Sequence, residues 1–306
     1  MQTLALDQAA ATAADRLRVA RIPTLLLKGP SFSRWLYSEE AVRSYVDIDL
    51  LVPFNLAEAA ESELARAGFI RSGHESIPGD RPRYAVSLRS PQGEWIDLHR
   101  SLIGVGQPKN LFAALAEGAQ PFEVGGGIID VPPPAGRALV LALHAAKEAS
   151  RSEKVVADLA RAMEVVPDEV WAAAGTLAQA VDATEAFAAG LRRDPAGREI
   201  ASRLALPDEL TTDVSLRSTK PPPLAVGLDY VLDAHGIGGR LLFGIRKAFP
   251  PPSFMRAWRP IARHGALGLV AAYVYRPFWL IVKTVPAARA VRRARRTARE
   301  SRNAQP

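Results

Sequence analysis

The chain has 306 residues, 48% hydrophobic and 23% charged, enough for one large domain or two ordinary ones with a real core. It contains no cysteine, which excludes a disulfide framework, thiolate catalysis and cysteine-ligated zinc; it fits a reducing compartment, and the expected location is cytoplasmic or peripheral at a membrane. The net charge of +7 sits at one end: residues 289–302 hold seven Arg and one Glu, so the body is nearly neutral and extensive nucleic-acid binding is not expected.

Residues 1–20 read as an amphipathic helix rather than a secretory leader, because Asp7 and Asp15 interrupt the apolar run. Thr24 to Lys28 reads as a short strand entering a turn at Gly29, and a helix starts at Pro30. A glycine at such a turn lets backbone N–H groups approach a phosphate, and Lys28 would add a full charge. Strand–Gly–helix turns are common, so this one alone does not identify a phosphate site. Arg43-Ser44-Tyr45 leads into Val46 to Val52, an apolar strand broken only by Asp47 and Asp49. Residues i and i+2 of a strand share a face, so these two carboxylates project side by side. Their repulsion and desolvation call for compensation, usually a divalent cation with oxygen ligands such as Mg²⁺. Two acids at an exposed strand edge are the alternative, and an isolated D-x-D favours it.

Asn55 to Gly68 reads as a helix with Asn55 as N-cap and Gly68 as its stop. Arg83 to Arg89 and Trp95 to His99 read as strands joined by a hairpin turn over Ser90 to Glu94. Asp97 is a third acid among apolar neighbours. The order is β-α-β-α-β-β; if the acid-bearing strands are adjacent, three carboxylates converge. That set suits two Mg²⁺ (or Mn²⁺) ions and in-line phosphoryl or nucleotidyl transfer, with Asp97 placed to accept the proton of the attacking hydroxyl.

Leu139 to Met163 is a long helical run with His144, Lys147, Lys154 and Asp158 near one side. One reading pairs Lys147 and Lys154 with phosphates and has Asp158 orient a lysine; the other is a solvated face with an ordinary i,i+4 pair between Lys154 and Asp158. His144 and His99 each stand beside apolar residues and read equally well as core histidines. Residues 167–206 are further helices without evident chemistry. Two proline-rich connectors, 218–223 and 249–252, flank one or two helices over Tyr230 to Ala248 that Gly236-Ile237-Gly238-Gly239 interrupts. Ala266 to Val285 is the most hydrophobic stretch, but Arg276, Pro277 and Lys283 interrupt it as a spanning helix. A packed helix, an interfacial helix and a contact surface all remain open; its aromatic residues and the arginines beyond suit an anionic membrane surface or an acidic partner through 266–302. Residues 289–306 are expected to be a basic, disordered tail.

The glycine turn, the D-x-D strand and the later acid resemble the nucleotidyltransferase superfamily of the DNA polymerase β type. More closely, LLLKG-PSFSRWLY, R-SYVDIDLLV, LARAGF, WIDLHR and LALHAAKEASRSEKVVADLARAM resemble the bacterial family of uncharacterised nucleotidyltransferases, NTP_transf_5, over roughly residues 20 to 165. The resemblance implies an α+β fold: a nucleotidyltransferase-like small mixed sheet flanked by helices over 21–135, then a helical domain over 136–215 and a proline-punctuated helical region over 216–288. It implies that Asp47, Asp49 and Asp97 are the catalytic metal-binding carboxylates and that Gly29 lies at the triphosphate. Lys28, Ser31, Arg43, Lys147 and Lys154 are candidate phosphate contacts, with Asp158 orienting. The superfamily's usual Gly-Ser pair is here Gly29-Pro30-Ser31, so Pro30 removes one backbone donor. The expected activity is Mg²⁺-dependent transfer of a nucleoside monophosphate from an NTP, ATP foremost, to a hydroxyl acceptor with release of pyrophosphate. The alternative is an inactive relative that binds a nucleotide, a protein or a membrane.

Overall fold

A computed structural model describes residues 2–38, 43–71, 84–148, 152–208 and 248–303, with isolated positions between 216 and 245. The chain divides into two compact units: Met1–Ser72 with Arg83–Asp208, and Gly73–Pro82 with Glu209–Pro306.

The first unit is built on a mixed sheet of seven strands: β1 (Leu25–Leu26), β2 (Asp47–Leu51), β3 (Ile70–Arg71), β4 (Ala85–Arg89), β5 (Trp95–His99), β6 (Gln120–Val124) and β7 (Gly127–Val131). Their spatial order is β3-β4-β5-β2-β1-β7-β6. β5 pairs parallel to β2, and β1 parallel to β7; the other neighbours are antiparallel. The D-x-D strand is therefore central, with a neighbour on each side. That placement explains its composition, since a strand buried on both faces is near-continuously apolar except where chemistry requires otherwise. The expected strands are all present; the short β3 and the β6–β7 hairpin, turning at Gly125-Gly126, are additional.

Strand alternation sends Ile48, Leu50, Val52, Ile96 and Leu98 into one core with Leu6, Ala10, Ala13 and Leu17 of α1 (Gln2–Val19) and Ala60 and Leu64 of α3 (Ala57–Arg66). The acids of β2 and β5 are thereby sent to the opposite face. α3 begins later than the sequence suggests: Phe54–Leu56 forms a 3-10 turn, and Asn55 lies inside it instead of capping the helix. α2 (Pro30–Leu36) opens with proline, which supplies no N–H where none is needed. α4 (Pro108–Ala116) separates the acid strands from the β6–β7 hairpin.

The helical run expected over Leu139 to Met163 is two helices, α5 (Pro134–Glu148) and α6 (Glu153–Val165), so the residues grouped on one side come from separate elements. α7 (Asp168–Ala180), α8 (Thr184–Leu191) and α9 (Pro195–Arg203) complete the layer. α8 crosses α5 closely: a Cβ on Gly190 would stand 1.9 Å from the Ala142 carbonyl oxygen.

In the second unit, α10 (Pro252–Trp258) and a 3-10 turn (Pro260–Arg263) precede α11, one helix from Gly265 to Asn303. The basic segment expected to be disordered continues this helix to Asn303; its alternation of Ala and Arg, two strong helix formers, accounts for the difference. The helices expected over Tyr230 to Ala248 lie almost entirely outside the described residues, as does their glycine cluster.

Candidate active site

The parallel register sets Asp49 beside Asp97 and Leu51 beside His99, so the two acids and the imidazole share one face of neighbouring strands. Ligand atoms of Asp49, Asp97 and His99 all lie within 4.8 Å of one another. Asp47 shares that face, one pleat earlier, but is not part of this tight group.

Asp49 is almost wholly buried, and its Oδ1 accepts from Lys28 Nζ and His99 Nε2, each at 2.8 Å. Burial alone would push this carboxyl up, but the Lys28 ammonium, followed by the His99 ring, holds it far below the ordinary carboxylate value. Asp47 is shifted the other way: burial raises it and Asp49 adds repulsion, with Lys28 and Lys154 pulling back. The pair thus differs in protonation tendency although only Ile48 stands between them. Asp97 Oδ1 accepts from Ser87 Oγ at 2.6 Å, across the β4–β5 pairing. Among the described residues, Oδ2 of neither Asp49 nor Asp97 accepts a hydrogen bond, which leaves one oxygen on each.

The His99 Nδ1 atom is buried without a hydrogen-bond partner. A buried bare N–H would cost more than a buried lone pair with no donor, so the ring proton is assigned to Nε2, where Asp49 accepts it. A metal-ligating histidine ordinarily donates its other N–H to an acceptor, and none stands here. His99 thus orients Asp49, and the donors left for a cation are carboxylate oxygens, the set that Mg²⁺ or Mn²⁺ prefers.

Gly29 caps α2 with φ 65° and ψ −119°, a conformation that only glycine adopts without strain. Ser31 is fully buried and its Oγ has no hydrogen-bond partner. Arg43 gives Nε to Asp158 Oδ1 at 2.7 Å and Nη2 to Asp158 Oδ2 at 2.6 Å, while Nη1 reaches the Gly29 carbonyl at 3.3 Å. Tyr37 donates to the same carboxylate at 2.9 Å. Asp158 therefore orients an arginine and a tyrosine, not a lysine as the helical spacing suggests: the break between α5 and α6 removes Lys147 from its side, and Arg43 takes both carboxylate oxygens although Lys154 shares α6 with it. Arg43's fork is taken by that pair. Lys154 Nζ donates to the Ser44 carbonyl on the approach to β2. Lys147, half-exposed, pairs with Glu148 at 3.1 Å. His144 faces the cluster from α5, and burial, then the nearby Lys28, push its imidazole well below the ordinary value.

The model of the family of uncharacterised nucleotidyltransferases matches residues 1–193, well over half of the chain. The chain belongs to this family. Two solved structures are similar to this chain. The antibiotic-resistance factor ANT(2'')-Ia is 12% identical, with 59% of this chain and 94% of that one covered and a TM-score of 0.42. An antigenic nucleotidyltransferase-like protein from Paracoccidioides brasiliensis is 17% identical, with 60% and 92% covered and a TM-score of 0.36. A search of curated proteins finds no match to the sequence.

Proposed function

We propose that the protein transfers a nucleoside monophosphate from an NTP to a hydroxyl of an acceptor and releases pyrophosphate. The observation that carries this reading is the convergence of Asp49, Asp97 and His99 within 4.8 Å on paired strands, with Asp47 on the same face. Asp47, Asp49 and Asp97 would hold Mg²⁺ or Mn²⁺. A bound divalent cation supplies charge neutralisation at the triphosphate and a lowered pKa at the attacking hydroxyl. The remaining work falls to the chain. Lys28 and His99 keep Asp49 ionised and aimed. Asp97 takes the acceptor's proton at Oδ2 as the hydroxyl oxygen bonds to the α-phosphorus and the bond to the β-phosphate oxygen breaks. Lys28 and Lys154 would supply cations to a triphosphate, ATP in the first instance, and Gly29 and Ser31 belong to the turn and helix start that follow Lys28. Arg43, held by Asp158, braces that turn through the Gly29 carbonyl, and Lys147 pairs with Glu148.

Titration calorimetry of the four NTPs with Mg²⁺ and with EDTA, on wild type and on Asp47→Asn/Asp49→Asn, tests the donor site. Metal-dependent binding of one NTP, lost in the double variant, is the expected result. A second reading, a nucleotide-binding protein without turnover, is favoured by one feature: Pro30 lacks an N–H at the turn and Ser31 Oγ is buried without a partner. It is distinguished by NTP binding with no pyrophosphate released across an acceptor screen.

A further inference from the structure

α11 carries a face that nothing among the described residues covers. Leu267, Val270, Val274, Phe278, Ile281 and Val285 are all exposed, Leu267 at 87% and Phe278 at 65%. Their spacing of three or four residues puts them on one stripe of the helix. The stripe runs about 27 Å at 1.5 Å per residue. Arg289 and Arg292 continue the same spacing and are exposed, with exposed Arg293 beside them. One face is thus apolar for five turns and cationic thereafter.

The opposite face is occupied. Ala272 packs with Met255 and Ala262, bordered by Phe254, Trp258, Leu269 and Tyr273. Arg276, one of the two charges that interrupt the apolar run in the sequence, is buried on that side, its guanidinium 4.9 Å from the Phe254 ring and 4.6 Å from Trp258. The helix is long and apolar enough to cross a membrane by length and composition. Its apolar surface is a stripe and not a full cylinder, however, which suits lying in an interface.

Charge selects the occupant. Between Asp233 and Glu300 the chain has no acidic residue at all. A second copy laid parallel would set arginine against arginine, and one laid antiparallel would set arginine against the apolar stripe. Pro277 and Pro286 inside the helix also interrupt the regular ladder of a self-paired coil. A bilayer bearing anionic lipids offers acyl chains to the stripe and phosphates to the arginines along its whole extent. We propose that α11 docks the protein on an anionic phospholipid surface, with the Leu267–Val285 stripe among the acyl chains and Arg289, Arg292 and Arg293 at the lipid phosphates. The proposal is independent of the chemistry at the acid cluster.

The test is flotation of the full chain with phosphatidylcholine vesicles, with and without phosphatidylglycerol. Wild type is expected to float with the anionic vesicles only, and less as salt rises. Phe278→Glu/Ile281→Glu and Arg289→Gln/Arg292→Gln/Arg293→Gln should each lower binding by about tenfold or more, since each arginine near an anionic surface contributes several-fold. Both variants change exposed side chains and should keep the wild-type circular dichroism. Absence of flotation, equal flotation on neutral vesicles, or unchanged binding by both variants overturns the proposal. A dimer of wild type that Phe278→Glu/Ile281→Glu dissociates overturns it in favour of self-association, and retention in membranes through alkaline carbonate overturns it in favour of spanning.

Discussion

Asp49 occupies a place that would ordinarily keep a carboxyl neutral, yet Lys28 and His99 make it the more strongly ionised of the D-x-D pair. Asp49→Asn and Asp97→Asn keep the shape and an acceptor oxygen, so both variants should stay folded while pyrophosphate release falls by at least about a hundredfold, the scale for losing one charged contact to a reacting centre. Phosphate detection after pyrophosphatase digestion reads it. His99→Gln keeps a donor near Asp49 and should retain metal-dependent NTP binding that His99→Ala weakens, as calorimetry would reveal. Tyr37 offers a check by pH. Burial, then the hydrogen bond to Asp158, raises its phenol from 10.0 to about 12. Because the folded value lies above the unfolded one, the stability Tyr37 contributes is complete below pH 10 and is lost as pH climbs through about 12. Tyrosinate absorbance of wild type against Tyr37→Phe should show one late-titrating phenol fewer in the variant. Asp97 joins Asp49 only through the β2–β5 register, whereas the shared face of Asp47 and Asp49 was legible in the sequence, because strand alternation and a central apolar run expose it. The hydrogen bond from His99 to Asp49 was not, since it depends on a parallel register joining strands 50 positions apart. Nor was the Arg43–Asp158 pair, whose members are 115 positions apart.

Elements were readable where local chemistry is strong. The proline that opens α2, the hairpin turn at Ser90 and the start of α7 after Pro167 all carry local signals. β6, β7 and α4 carry weaker local signals: β6 holds polar and proline residues, as in Gln120-Pro121, and the β6–β7 hairpin gains definition from the sheet that it extends. α1 holds the sheet's rear face, and Leu17, fully buried, is its last anchor. Leu17→Ala should cost about 3 kcal/mol in urea unfolding, through lost transfer energy and the cavity left behind. The α5–α8 crossing is tighter still. Gly190→Ala must push Ala142's helix aside and should destabilise by about 1–3 kcal/mol, the usual range for overpacking.

On the scale of the whole molecule, the two units have separate cores. Among the described residues, the sheet unit has a broad cluster between the sheet, α1 and α3 and further buried residues in α5 to α8, whereas the second unit has small clusters around Val291 and around Met255. Calorimetry should therefore show two transitions, the second unit melting first. Mg²⁺ with the bound NTP should raise only the upper transition, because a ligand stabilises the unit that holds it. The helices α5 to α9 belong to the same unit as the sheet, and their attachment runs through contacts distant in sequence. One such attachment is the brace at Arg43. It binds Asp158 of α6 on one side and the Gly29 carbonyl on the other, while Lys154 of the same helix holds the Ser44 carbonyl. Opening that seam would strand a buried charge without its partner. On the proposed function, a donor nucleotide would enter beside this braced seam. Misfit nucleotides should accordingly be sorted at the door, by a raised KM, while those admitted react at similar kcat.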